Sequence, residues 1–411
     1  MSSPVHDFTA KLRQPAVLPG VLDYVRWRRA VEAARADGST TRPVPEAPPI
    51  APVSINLDLT TACNYRCDHC IDWDILNTAF KHEDAVLRSS IERMRERGLR
   101  SVILIGGGEP TVHPGFSDFV RFLKDLEIQV AVVSNGSGNR KILEVAERLD
   151  ERDWVRLSLD SGTNDTFVRM HRPVNKEVTL ESICEWVPRI KEVNPRFRYG
   201  FSFIIVWKGA EREHDVKIVE NIHEIVAATR LARDHRFDYI SLKPFLVRSP
   251  TGSEVMDPEK AEAEMQSVVR RIREAVDEAK TLATPEFQVL ESTNLRMLED
   301  GSWRDFTHQP KTCHMQAFRQ VLTPTGLYNC PAYRGVERAK IAEKDAFRDV
   351  AAADATNRNL AGILDRFDAS SECREVTCLY NDVNWWLDGL VKGDATLDAV
   401  AAGSERFDYF L

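Results

Sequence analysis

Cys63-Asn64-Tyr65-Arg66-Cys67-Asp68-His69-Cys70 sets three thiols on a short stretch directly after an apolar run at 53–59 that reads as a β-strand. Three thiolates at this spacing hold three irons of a [4Fe–4S] cube and leave the fourth iron open to a ligand. The same trio offers three positions of a zinc site with His69 as a fourth ligand, although structural zinc usually draws on two paired cysteine knuckles. A strand that ends in a ligand-bearing loop is the first half of a βα unit, so the pattern downstream decides the architecture.

That pattern repeats. Apolar runs at 101–105, 128–133, 154–159, 199–207 and 238–242 alternate with helical segments near 83–97, 116–126, 139–150, 179–193 and 215–234. Such alternation predicts an α/β fold with parallel strands and crossover helices. Six strands are too few for a closed eight-stranded barrel, so the expectation is a partial (β/α)6 TIM-like barrel with its chemistry at the C-terminal strand ends. A helix from Pro258 to about Leu282, with Ala261, Met265, Val268, Val269, Ile272 and Val276 at three- and four-residue spacing, packs on that barrel.

The flanks read differently. Residues 21–37 form an amphipathic helix with Val21, Tyr24, Trp27, Val31 and Ala34 near one face, and a Pro-rich linker follows. Residues 318–330 predict a hairpin around a Pro-Thr-Gly turn at 324–326, after which the chain turns helical. The expected organisation is 1–52 as helix and linker, 53–283 as partial barrel, and 284–411 as a small cysteine-anchored α+β domain.

Composition narrows the function classes. With 43% hydrophobic and 29% charged residues, the 411-residue chain can bury a core. A balance of 55 Lys+Arg against 63 Asp+Glu gives −8, which argues against a nucleic-acid partner. No segment approaches the ~20 apolar residues of a membrane span. Met1 to Thr9 lack the basic start and apolar stretch of a signal peptide, so the expected location is cytoplasmic. In that reducing compartment the eight cysteines read as ligands rather than disulfides.

Two further loops fall at strand ends. Ile105-Gly106-Gly107-Gly108-Glu109-Pro110 lets a ligand approach the backbone, and Glu109 can accept from a cation. Ser134-Asn135-Gly136 offers hydroxyl and amide groups suited to sugar hydroxyls. With the cysteine trio, these loops resemble the radical S-adenosylmethionine (SAM) superfamily, whose hallmark is a CxxxCxxC loop after the first strand of a partial barrel. The resemblance implies that Cys63, Cys67 and Cys70 hold a catalytic [4Fe–4S] cluster whose open iron chelates SAM, which is cleaved to a 5′-deoxyadenosyl radical. It also implies that Gly107, Gly108 and Glu109 contact the SAM ammonium and Ser134 and Asn135 its ribose. Ser158 and Arg169 would hold its carboxylate, with Arg172 as a substitute for Arg169.

Cys313, Cys330, Cys373 and Cys378 form a later quartet, enough for one tetrahedral zinc or one [4Fe–4S] cluster. Their arrangement around a Gly-containing hairpin resembles the SPASM/twitch extensions of the same superfamily, which implies an auxiliary [4Fe–4S] cluster and an external flavodoxin- or ferredoxin-type electron donor. Only four cysteines remain after the barrel, which departs from the full SPASM set and is closer to the shorter twitch form. Cys184 reads as a buried small hydrophobe. Lys243 at the sixth strand end can bind a substrate oxygen or take a proton. Asp72 and Asp74 either touch substrate or cap a turn, and Trp385-Trp386 read as core or interface.

The resulting expectation is a radical SAM oxidoreductase that abstracts hydrogen from a small sugar-, cyclitol- or nucleoside-type molecule and completes a two-electron oxidation. The alternatives are modification of a ribosomal peptide, a redox-neutral epimerisation or rearrangement, and a metal-stapled scaffold without catalysis. The last does not account for Gly107-Gly108-Glu109 beside the cysteines.

Overall fold

The computed structural model of the protein describes residues 6–36, 45–212, 216–256 and 262–411. Met1 to Val5, part of the expected linker (37–44), the expected helix start at Asp215, and Pro258 and Ala261 of the later helix lie outside the described residues. The chain divides into two units, one built on 57–81 and 103–305, the other on 6–56, 82–102 and 306–411.

The first unit is organised by parallel strands: β1 (Ser54–Leu57) and β2 (Ser101–Leu104), which enter it at their C-terminal ends, then β3 (Gln129–Ser134), β4 (Trp154–Ser158), β5 (Arg198–Ile205), β6 (Tyr239–Pro244) and β7 (Gln288–Glu291). They lie in the order β7-β6-β5-β4-β3-β2-β1, and each neighbouring pair from β3 to β7 is parallel. The strand order does not return on itself, so the described strands form no closed barrel.

Side-chain alternation gives this sheet two different faces. Val155, Leu157, Phe201, Phe203, Ile240 and Leu242 are fully buried. Trp154, Arg156 and Ser158 occupy the alternate positions of β4 and keep partial exposure. The helices follow the same logic. Phe116–Asp125 buries Phe116, Phe119, Val120 and Leu123 at helical spacing, and that apolar stripe fixes which side meets the sheet.

Two expectations change here. The helix read as 215–234 is confined to Ile225–Asp234, because Val216–Lys217 pairs with Glu211–Arg212 and Ile222–Glu224 is a 3-10 turn. A seventh parallel strand, β7, follows the long helix and pairs Gln288↔Tyr239 through Glu291↔Leu242.

In the second unit, helix Leu18–Ala36 buries Val21, Tyr24, Trp27, Val31 and Ala34 as its periodicity predicts. The hairpin β8 (Arg319–Thr323) and β9 (Gly326–Tyr328) pairs Leu322↔Leu327 and Thr323↔Gly326. Gly326 has φ +151°, and a side chain there would press on the Ala342 carbonyl at 2.9 Å. That carbonyl belongs to β10 (Lys340–Ala342), a third strand with no signal in the sequence.

Candidate active site

The cysteine loop is fastened to the end of helix Asn164–His171. Arg66 and Asp68 donate backbone N–H groups to the carbonyls of His171 (3.2 Å) and Met170 (3.1 Å), and Arg172 pairs with Asp68 at 2.8 Å. The Cys67 Sγ lies 3.3 Å from His171 Nδ1, and His171 Nε2 lies 2.9 Å from the Leu159 carbonyl. A carbonyl only accepts, so Nε2 carries the proton and Nδ1 accepts from the Cys67 thiol. Burial, followed by neighbouring His69, pushes His171 down to about 4, in keeping with a neutral ring. His69 reaches Asp160 at 3.0 Å and meets His171 edge-on at 4.9 Å between ring centroids. Asp160 is held in the left-handed region at φ +50° and accepts the Ile204 N–H at 2.7 Å. His171 and this Asp160 brace have no counterpart in the sequence reading, since their partners come from separate βα units.

The three thiols are mutually aware. Burial pushes Cys67 far up, and the charges of Cys70 and Cys63 push it further. Burial and then Asp72 push Cys70 up to about 12, and burial raises Cys63, with Glu109 adding to it. Thiols gathered in this way need a positively charged group to hold them as thiolates, and iron in a cluster supplies that charge. The donor set therefore fits an iron–sulfur cluster. Cys67, His69 and His171 also bring their ligating atoms within 4.8 Å of one another.

The loop after β2 lies flush on the approach to Cys63. The Glu109 N–H donates to the Ala62 carbonyl at 2.9 Å, and a Cβ on Gly108 would sit 2.2 Å from that same oxygen. The buried Glu109 carboxylate is already oriented: Oε1 accepts from Thr111 N (3.0 Å), Thr111 Oγ1 (2.6 Å) and Ser134 Oγ (2.8 Å), and Oε2 accepts only Asn135 N at 2.6 Å. Oε2 thus keeps capacity for a ligand cation. Burial raises the Glu109 carboxyl above the ordinary glutamate range, and these donors offset it only in part.

Several expected contact residues are engaged within the protein. The Ser134 hydroxyl is engaged by Glu109, and the Asn135 amide bonds Asn64 and Ser137, so both brace the loop. Arg169 points to solvent and pairs with Asp165 at 3.4 Å. Its substitute Arg172 is tied to Asp68. Ser158 and Lys243 lie at strand ends as read. Burial, then the charge of Arg156, pulls Lys243 well below the ordinary lysine range. Asp72 and Asp74 face Arg248, at 3.9 and 2.7 Å. Cys184 is fully buried.

In the second unit Cys313, Cys330, Cys373 and Cys378 line one cavity with Met315, Phe367 and Val376. Burial raises Cys313 first, then the charges of Cys373 and Cys330; Cys378 responds in the same way to Cys330 and Cys313. Residues far apart in sequence are brought together because the hairpin carries Cys330 toward the short helix Ala369–Glu372 that precedes Cys373.

A mostly parallel open sheet with a thiol trio and an oriented carboxylate at its strand ends defines a class of cluster-bearing partial barrels. Residues 57–222 match the family model described as the Radical SAM superfamily. Its members use SAM and a cysteine-held [4Fe–4S] cluster. The chain is similar to an S-adenosylmethionine-dependent nucleotide dehydratase of Selenomonas ruminantium, 26% identical over 39% of this chain and 58% of the relative. It is also similar to the mycofactocin maturase MftC of Mycobacterium tuberculosis, 34% identical over 28% of this chain and 29% of the relative. It thus spans little more than half the length of the first relative and less of the second. The fold resembles the crystal structure of Streptococcus suis SuiB bound to S-adenosylmethionine, with a TM-score of 0.51, 13% identity, and 74% of this chain and 65% of that one covered. Among the described residues no helix is long and apolar enough to cross a membrane.

Proposed function

We propose that this chain is a radical SAM oxidoreductase that removes hydrogen from a small sugar-, cyclitol- or nucleoside-type molecule and carries it through a two-electron oxidation. When bound, the cluster and SAM supply a 5′-deoxyadenosyl radical. The chain's own residues do the rest: Cys63, Cys67 and Cys70 hold the iron as thiolates, and the backbone bonds of Arg66 and Asp68 to the end of helix Asn164–His171 fix their loop. Glu109 receives the SAM ammonium at Oε2, with Gly107 and Gly108 keeping the backbone close. Cys313, Cys330, Cys373 and Cys378 would hold an auxiliary cluster, which would supply an acceptor for the second electron of the oxidation.

The observation that carries this reading is the seating of the Glu109 loop on Ala62, which sets an oriented carboxylate beside Cys63. A cysteine staple has no use for such a loop. The likeness to a nucleotide dehydratase supports a small substrate, and the likeness to a mycofactocin maturase favours peptide modification as the second reading.

Iron and sulfide per chain after anaerobic reconstitution, with SAM cleavage, test the proposal in the native protein and in Cys63/Cys67/Cys70→Ala. The expected result is about eight irons falling to about four, with cleavage abolished. About four irons falling to near zero, with zinc retained, would make the quartet a zinc site and remove the electron acceptor that oxidation requires.

A further inference from the structure

The strand register stacks polar side chains of the inner sheet face in three layers. Arg156 of β4 is level with Gly200 of β5 and Tyr239 of β6. One layer toward the C-terminal ends, Ser158, Ser202 and Ser241 are level, and one layer further Lys243 lies beside Ile204. These positions share one face because strand side chains alternate, and the opposite face is the packed one of Leu157, Phe203 and Leu242.

Among the described residues, neither cation has an ion-pair partner, and none of the three serine hydroxyls makes a hydrogen bond within the protein. The Arg156 Nε is fully buried without an acceptor, and the guanidinium meets only the Trp154 ring, at 5.1 Å. Both cations keep partial exposure, so they face a recess rather than sealed core. Desolvation disfavours the charge of each, as expected for cations deep in a recess. Both feel one carboxylate, Asp160, and its oxygens are engaged by His69 and the Ile204 amide. Recessed cations without a counter-ion are costly, and an anion between them removes that cost.

We infer that the serine layer between Arg156 and Lys243 is an anion subsite for a phosphate ester carried by the substrate. Donors come from three strands and from above, beside and below, which suits a tetrahedral oxyanion better than a planar carboxylate. Lys243 acts there as a point charge and Arg156 as a fork. The inference rests on the enzymatic reading above, because it places a substrate at the same strand ends. The carboxylate of SAM is the other anion such a site would take, and the experiment separates the two.

The reconstituted full chain is titrated anaerobically with inorganic pyrophosphate, succinate and SAM by calorimetry, in the native form and as Arg156→Gln, Lys243→Gln, Lys243→Arg and Ser202→Ala/Ser241→Ala. Native protein should bind pyrophosphate in preference to succinate. Each glutamine variant should weaken pyrophosphate binding about tenfold or more, as for a lost hydrogen bond to a charged group. Lys243→Arg should retain binding, the serine variant should lose a few-fold, and SAM affinity should hold throughout. Preference for succinate, no pyrophosphate binding by native protein, or loss of SAM affinity in place of pyrophosphate affinity would each overturn the inference. Dithionite-driven SAM cleavage, measured in parallel, isolates the parent reading. Native protein that binds pyrophosphate through Arg156 and Lys243 without cleaving SAM would sink the enzyme assignment and leave the anion subsite standing.

Discussion

The trio of Cys63, Cys67 and Cys70 and the quartet of Cys313, Cys330, Cys373 and Cys378 are all free thiols, but their surroundings differ in kind. Around the trio stand His171 on the Cys67 thiol, His69 on Asp160, and Glu109 held by four donors. Around the quartet stand Met315, Phe367, Ala369 and Val376 together with the uncharged Gln309, Gln316, Asn329, Tyr333 and Tyr380, and Arg319 is the one cation lining the cavity. Thiol count and setting vary together. Three thiols with ionisable neighbours leave a bound metal group an open valence and something to orient its ligand, whereas four thiols close the coordination. The first arrangement suits chemistry, and the second suits structure or electron transfer.

The largest effect should come from breaking the quartet. On the proposed reading Cys378→Ala removes one of four ligands, and metal binding at a closed site contributes folding energy on the order of 10 kcal/mol. The second unit should lose its metal and unfold at markedly lower temperature, while dithionite-driven SAM cleavage at the trio survives. Metal analysis and a thermal scan read the first, and 5′-deoxyadenosine yield reads the second. Loss of SAM cleavage with retained quartet metal would erase the distinction between the two regions.

Next in size is Gly108→Ala. The added methyl meets the Ala62 and Thr61 backbone at 2.2 to 2.6 Å, and backbone there cannot yield as a flexible side chain would. Overpacking of this kind costs about 1–3 kcal/mol, so SAM affinity should fall about ten- to a hundredfold as Glu109 is displaced. A comparison substitution in the second unit, Gly362→Ala, meets only the Arg366 guanidinium at 3.3 Å inside helix Val350–Arg366. It should gain up to about 1 kcal/mol of helix stability in a denaturant titration. Equal tolerance at both glycines would mean that the loop seating is not needed for binding.

How much of this was legible in the sequence follows from how local each feature is. The trio and the Gly107-Gly108-Glu109 loop are short contiguous signals, and the sheet turns them toward each other because they end adjacent strands. The quartet was legible as a count, but its convergence depends on the hairpin. His171 was passed over because its partners Cys67 and Leu159 come from two different strand ends, and a single His carries no periodic mark. For Arg169 and Asn135 residue type suits the ligand, and the sequence could not show that Asp165 and Asn64 lie within bonding distance of them. Strand β7 escaped because Gln-Val-Leu-Glu is an edge strand in this unit, mostly half-exposed and without clear alternation.

His171→Phe sharpens the contrast at the trio itself. The ring keeps the volume but removes the acceptor of the Cys67 thiol and one donor to the Leu159 carbonyl, which retains Ser161. A lost buried hydrogen bond costs about 1–2 kcal/mol, so the metal-free protein should melt a few degrees lower and still take up iron at the trio. Iron uptake lost with an unchanged melting temperature would mean that His171 is itself a ligand, in the Cys67, His69 and His171 group.

Arg169→Ala should have the smallest effect, and it tests where the trio's polar surroundings stop. The side chain is exposed and its partner Asp165 sits one helical turn away, also exposed. Pairs of this kind contribute less than about 0.5 kcal/mol. SAM affinity and thermal stability should therefore stay at native values, whereas Arg172→Ala, which frees Asp68 in the cysteine loop, should weaken SAM binding measurably. A loss of SAM affinity confined to Arg169→Ala would show that the helix turns inward when ligand binds. The boundary between chemistry and solvent would then lie beyond Asn164–His171 rather than at its inner edge, and the trio's polar shell would include a cation that the present geometry keeps outside.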